Sequence, residues 1–354
     1  MDLLLDAPTI PSTRLRMSWL GAAMAALLGA VFVGVMVGPV PMSPGDVVLE
    51  LVDGLPLIDV RSGLSEQDAA ILWQLRMPRV ILAALVGASL AMSGAAYQGV
   101  FRNPLADPYL LGVAAGAGVG ATVALAYLTP GASGPIQPLP VAAFLGGLVG
   151  VGATYVLGRA GTGRRRTTTT LILAGVAVAS FLTAVQTYLQ QRESDTLRQV
   201  YSWILGRLGT AGWDEVLLIL PYVAVSMVAV LLHRRLLDVL SVGDEEADSL
   251  GIRAARVRLL VVVAATLATA AAVAVGGLIG FVGIIVPHAI RLVVGDSYRI
   301  VVPLSILVGG AFLILTDLAS RTAMAPAELP IGVITAFLGA PFFLLVLRRS
   351  RKLS

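Results

Sequence analysis

Val80-Ile81-Leu82-Ala83-Ala84-Leu85-Val86-Gly87-Ala88-Ser89-Leu90-Ala91-Met92-Ser93-Gly94-Ala95-Ala96-Tyr97-Gln98-Gly99-Val100-Phe101 contains no charged side chain. At about 1.5 Å of rise per residue a helix of this length covers the ~30 Å hydrocarbon core of a bilayer, where the backbone must satisfy its own hydrogen bonds. Working outward, Met17 to Gly38 is charge-free, and so is Pro108 to Gly158, long enough for two spans divided by Thr129-Pro130-Gly131, Pro135 and Pro138-Leu139-Pro140. Thr167 to Gln190 and Val216 to His233 supply two more. Leu259 to Ile290 supplies a seventh and a shorter eighth span, split near Gly276, Gly277 and Gly280 and broken again at Pro287. Ile300 to Thr316 and Leu329 to Leu347 complete an expected set of ten, in an all-α membrane protein.

Composition agrees. Of 354 residues 57% are hydrophobic and 13% charged, with mean hydropathy +0.88, whereas a soluble domain carries about 25% charged residues. A water-soluble fold is excluded. The net charge of +4 and pI of 9.7 reflect a modest arginine excess, with no nucleic-acid-binding stripe. Zero cysteines and two histidines exclude disulfide scaffolds and Cys or multi-His metal cages. The single lysine, Lys352, is followed by Leu353, so the chain holds no Gly-Lys-Ser/Thr phosphate loop. If ATP supplies energy, another chain hydrolyses it.

Lys and Arg favour cytoplasmic loops. With the N-terminus inside, most of the 25 basic residues fall in inner segments, including the Arg164-Arg165-Arg166 run, Arg234, Arg235, Arg253, Arg256 and Arg258. The first outer loop carries Asp46, Glu50, Asp53, Asp59, Glu66 and Asp68. Residues 1–16 are then a cytoplasmic tail, 17–347 the transmembrane domain with a cytoplasmic loop at about 234–258, and 348–354 a basic cytoplasmic tail. The first apolar run exceeds a signal-peptide core and reads as an uncleaved helix.

Glycine and proline punctuate the spans. Gly112, Gly116 and Gly120 share one helix face, and Gly146 and Gly150 repeat the spacing; packing within the chain is the first reading, a pathway or subunit contact the second. Asn103-Pro104-Leu105-Ala106-Asp107-Pro108 reads as a rigid inner turn. The Gly280 to Arg291 stretch, broken at membrane depth, fits either a transport path or a packing kink.

Arg76-Met77-Pro78-Arg79, then Gly94 to Pro108, then Gly280-Phe281-Val282-Gly283 with Pro287-His288 and Arg291, then Ala327-Glu328-Leu329-Pro330-Ile331-Gly332-Val333 with Gly339-Ala340-Pro341 together resemble the FecCD family. These are permease subunits of bacterial ABC importers for ferric siderophores, haem and cobalamin. The resemblance implies a ten-helix permease of the type II importer architecture, working as a homodimer in the bacterial cytoplasmic (inner) membrane with both termini cytoplasmic. It implies two cytoplasmic ATPase subunits, which bind ATP and Mg, and an extracytoplasmic substrate-binding protein. This chain itself is expected to be no enzyme, to hold no cofactor and to bind no nucleic acid.

Site residues follow from the resemblance. Arg76, Arg79 and Arg321, in outer segments, are expected to receive carboxylates of the binding protein, the alternative being helix ends anchored by snorkelling. Gly243, Asp244, Glu245, Glu246, Asp248, Leu250, Gly251 and Ile252 look like the coupling helix that sits in an ATPase groove, with Leu250 and Ile252 as its apolar contacts; a solvated surface helix is the alternative. Asn103, Leu105, Thr168 and Thr169 match an inner gate, although a polar helix start explains the threonines equally well. His288 belongs to a motif shared irrespective of cargo, which argues against a haem ligand. Asp317, four residues before Arg321, is expected to pair locally or simply to reach water. Among cargoes ferric siderophore ranks first, on the likeness of Asp107 to Gly112 to that branch, with cobalamin or haem next. A proton-coupled secondary transporter using Asp317 or Glu328 is a competing class. An intramembrane hydrolase lacks support, because neither His-Glu-x-x-His nor Gly-x-Ser-x-Gly occurs.

Overall fold

The computed structural model describes residues 15–54, 62–128, 137–160, 168–206, 208–209 and 212–350. Helix α1 (Met17–Met36) is apolar on all sides, and α2 (Pro44–Asp53) starts with proline in its first turn, where the missing N–H costs nothing. Ser65 caps α3 (Glu66–Ile71), its Oγ accepting the Asp68 N–H at 3.1 Å. The chain continues through a wide π turn, Leu72–Arg76, into α4 (Met77–Phe101) without a break. Pro78 accounts for the widening, because its ring displaces the carbonyl four residues earlier, which lies in that turn. Arg76 and Arg79 therefore lie within a helix and not in the outer segment before it.

Next come α5 (Val113–Val123, extended by a π segment to Leu128), α6 (Pro138–Ala160), α7 (Thr168–Arg192) and the short α8 (Leu197–Ile204). Helix α9 (Trp213–Val242) is followed directly by α10 (Asp244–Ser249), so residues 234–242, expected in a loop, are helical. Then follow α11 (Ala254–Gly276), α12 (Val282–Val294), α13 (Tyr298–Thr322) and α14 (Ile331–Ser350). Arg321 sits in the last turn of α13, again inside a helix. Among the described residues seven helices are long and apolar enough to cross a membrane; α5 with its extension, α12 and the first part of α14 are shorter apolar helices.

Small residues set the packing. Helices α4 and α13 run antiparallel, and a methyl group placed on Gly87 would lie 2.2 Å from the Gly309 carbonyl oxygen. The same close approach joins Gly116 of α5 to Gly146 of α6, at 2.1 Å, and Gly94 of α4 to Gly283 of α12, at 2.0 Å. Where lipid removes the hydrophobic drive for association, such backbone contacts supply dispersion attraction. The glycine rows of α5 and α6 thus serve packing within the chain. Hydrogen bonds inside the core add direction: Tyr97 Oη meets Thr266 Oγ1 at 2.7 Å, and Ser93 Oγ donates to the Ala265 carbonyl at 3.0 Å, fastening α4 to α11.

Candidate functional site

Where α4 begins and α13 ends, three arginines meet two carboxylates. Arg79 is bidentate to Asp317, with Nε at 3.0 Å and 3.1 Å from the two oxygens and Nη2 at 2.9 Å. Its outer edge engages Glu328, Nη1 at 2.8 Å and Nη2 at 3.0 Å. Arg321 Nε is 3.6 Å from Asp317, and its Nη2 donates to the Gly34 carbonyl. Arg76 donates to the carbonyls of Val35, Met36 and Val40, supplying hydrogens to acceptors at the end of α1. Arg76 and Arg321 are 4% and 2% exposed. Arg79 carries the reachable edge of the cluster, and that edge is held by the half-exposed Glu328. Outside the helices, the Arg79 guanidinium holds the Glu328 carboxyl below its ordinary range. Asp317 pairs with Arg321 as the four-residue spacing predicts, but its shorter bonds are to Arg79, from a distant part of the chain.

At the other end of these helices the α10 segment is a tight, well-terminated turn of helix. The Gly251 N–H bonds to the Asp248 carbonyl at 2.9 Å and the Ile252 N–H to the Ala247 carbonyl at 3.0 Å, with Gly251 at φ +75°. This is a Schellman closure, which needs the left-handed conformation that glycine adopts freely. Ala247 is buried, Ile252 is half-buried against the core and Leu250 is 68% exposed. Of the two expected apolar contacts only Leu250 stands free. Glu245, Glu246 and Asp248 are exposed, the Glu246 carboxylate lies against Gly243, and the Asp244 side chain is outside the described residues.

The turn after α4 is hydrogen-bonded within itself and Gln98 joins it to α12. Asn103 Oδ1 accepts the Leu105 N–H at 2.9 Å, Asp107 Oδ1 accepts the Tyr109 N–H at 2.8 Å, and Gln98 Nε2 donates to the Gly283 carbonyl at 3.0 Å. Burial pushes the Asp107 carboxyl up to about 6, against the opposing Tyr109 hydrogen bond. Leu105 is exposed. Thr168 and Thr169 open α7, and their side chains lie outside the described residues, as does the Arg164–Arg166 run. His288 stacks edge-on against Phe342, ring centroids 5.7 Å apart, in a packing role. The broken stretch before it is held by Tyr109, whose hydroxyl bonds both the N–H and the carbonyl of Ile279 at 3.0 Å.

A groove of about 910 Å³ runs along α7, lined by Asp107, Tyr109, Ser180, Thr183, Thr187 and Gln191 among small and apolar residues. Val176, Ser180, Thr183 and Thr187 recur at helical spacing on one face. That hydroxyl stripe is visible in the sequence and passed unnoticed there. Glu328 as a partner of Arg79 was equally missed; its signal is the cost of leaving an intramembrane charge unpaired.

A family model described as the FecCD transport family matches residues 26–349. The chain is 44% identical over 287 residues to the cobalamin import system permease protein of Halobacterium salinarum, covering 81% of this chain and 75% of that one. It is 39% identical over 284 residues to the hemin transport system permease protein of Yersinia pestis, covering 78% and 83%. A solved inward-facing structure of an ABC transporter superposes with a TM-score of 0.80 at 26% identity, covering 94% of this chain and 100% of that one. A multi-pass, all-helical chain with these similarities is a permease subunit of ABC importers, and it belongs to the FecCD transport family.

Proposed function

We propose that the chain crosses the bacterial cytoplasmic membrane ten times, the seven long apolar helices being joined by α5, α12 and α14, with both termini cytoplasmic. Two copies enclose a path for a ferric siderophore, and two cytoplasmic ATPases, which bind ATP and Mg, drive it. The observation that carries this reading is the α7 groove. Its hydroxyls, one carboxylate and many small and apolar side chains form a wide surface, which suits a bulky chelate with both polar and apolar faces. A second uncovered apolar groove of about 590 Å³, between α14 and the Leu278 region, supports a second copy of the chain as neighbour.

The Arg79 end is read as the docking face for the binding protein, reached through the Arg79–Glu328 edge, with Arg76 and Arg321 holding that edge in place. The α10 segment, with Leu250 exposed, is read as the contact with the ATPase. Asn103, Leu105 and the start of α7 are read as the inner gate. The competing proton-coupled class is disfavoured because Asp317 and Glu328 both hold Arg79, so protonating either removes an ion pair. Cobalamin is the second cargo, favoured by the 44% identity to a cobalamin permease. Uptake of labelled ferric siderophore, cobalamin and haem by cells with and without this chain tests the cargo. Loss of siderophore uptake alone is expected, and loss of cobalamin uptake alone would replace it.

A further inference from the structure

The last turns of α9 are tied to two other helices just before the chain enters α10. Asp238 accepts the Tyr298 backbone N–H on Oδ1 at 2.6 Å and the Ser297 hydroxyl on Oδ2 at 2.8 Å, and Arg299 Nε lies 3.4 Å from Oδ2. The N-terminus of α13 is thus capped from another helix, by a carboxylate placed where orphan N–H groups and the helix dipole favour negative charge. Ser297, at the cap position, makes no side-chain cap bond to its own helix. Two residues after Asp238, the Leu240 carbonyl accepts Arg102 Nε at 2.6 Å, and Arg102 is the left-handed terminus of α4, at φ +50°. Leu237 and Leu240 are fully buried beside these bonds.

From this junction α4 and α13 run antiparallel to the arginine cluster. Gly99 lies against the Tyr298 ring, Gly87 against Gly309, and Arg79 against Asp317. Close packing at Gly99 and Gly87 and the ion pair at Arg79 join the two helices along some 30 Å, and we read the pair as one strut. One end of the strut is gripped by α9, which leads directly into α10.

We propose that Asp238 is the joint through which α10 and the α4–α13 strut move together, a positioning residue for the coupling segment. This rests on the coupling role read for α10 above. A cap that only stabilised α13 would affect folding and every activity alike. A joint affects the transmission of movement between the two ends and leaves assembly in place.

The chain has no cysteine, so a spin label attached at Ala327→Cys before assembly with the ATPase, exposed beside Glu328, reports on the Arg79 end. The test uses the full permease–ATPase complex in lipid vesicles, trapped with ATP and vanadate. Expected is a change of label mobility on trapping in the otherwise unaltered complex. Asp238→Ala loses that change while basal ATP hydrolysis stays within about twofold, and Asp238→Asn, which keeps an acceptor for the Tyr298 N–H, recovers part of it. Should Asp238→Ala fail to assemble, Ser297→Ala with Arg299→Gln loosens the joint from the α13 side, with the same expectation. A label response that survives in these variants overturns the proposal, and so does an unaltered complex that gives none. Deleting Glu245 to Ser249 separates the two layers. If the deletion abolishes the response and Asp238→Ala does not, the coupling reading stands and the joint falls; if the deletion leaves the response intact, both fall.

Discussion

The span that ends in α4 and the span of α7 are equally apolar, yet 83% of the most apolar 18-residue stretch of the first is buried and only 17% of that of the second. Apolarity commits a helix to the membrane and says nothing about which neighbours it takes. Helix α4 carries Gly87, Gly94 and Ser93 where other backbones approach, and ionic groups at its end. Helix α7 turns Leu173 and Phe181 outward and sets Ser180, Thr183 and Thr187 along a groove. One helix is scaffold, and the other presents the groove that the proposed function reads as the working surface.

That contrast breaks most readily at the scaffold's charges. Arg79→Ala leaves the Asp317 carboxylate, 2% exposed, without its bidentate partner, and is expected to cost about 3–5 kcal/mol, measured as thermal or denaturant unfolding in detergent. The double substitution Arg79→Leu with Asp317→Leu is expected to recover only part of the loss, because the buried Arg321 then loses its carboxylate, and purely additive costs would show that the pair is unimportant. Gly94→Leu drives a side chain into the Gly283 carbonyl and is expected to cost about 1–3 kcal/mol, against less than about 0.5 kcal/mol for Gly152→Leu, where space is open. Equal stabilities for these two variants would remove the scaffold reading.

On the working surface the expectation reverses. Thr183→Trp in the α7 groove is expected to leave stability within about 0.5 kcal/mol but to slow uptake roughly tenfold. The smallest effect concerns pH. Because Arg79 lowers the Glu328 pKa, the stabilisation from that pair is complete above the ordinary carboxylate value of about 4.3 and is lost only as pH falls through the lowered one. The stability difference between the unaltered protein and Glu328→Gln is therefore expected to be flat from neutral pH down to about 5 and to close below that. Glu328 is half exposed, so solvent keeps the difference small.

Seven of the ten expected spans were legible as long apolar helices because apolar run length is a one-dimensional property, and the breaks at Gly277 to Phe281 and after Phe101 were legible because glycine and proline act locally. The continuation of the helix from Glu66 through Arg76 was not, since a charged residue inside a helix end looks like a loop until its partner is known. Asp317 shows the same limit. Its partner four residues on was readable, whereas Arg79 comes to it only through the antiparallel register of α4 and α13. The outward Leu250 and inward Ile252 differ through the turn at Gly251, which spacing alone does not reveal.

The most direct test of an ATP-driven permease is transport by the purified complex in vesicles: this chain, its ATPase and its binding protein, with labelled cargo outside. Accumulation that requires ATP, and that stops when nucleotide is withheld despite an imposed proton gradient, is the predicted result. Accumulation driven by the gradient alone, without nucleotide, would contradict it.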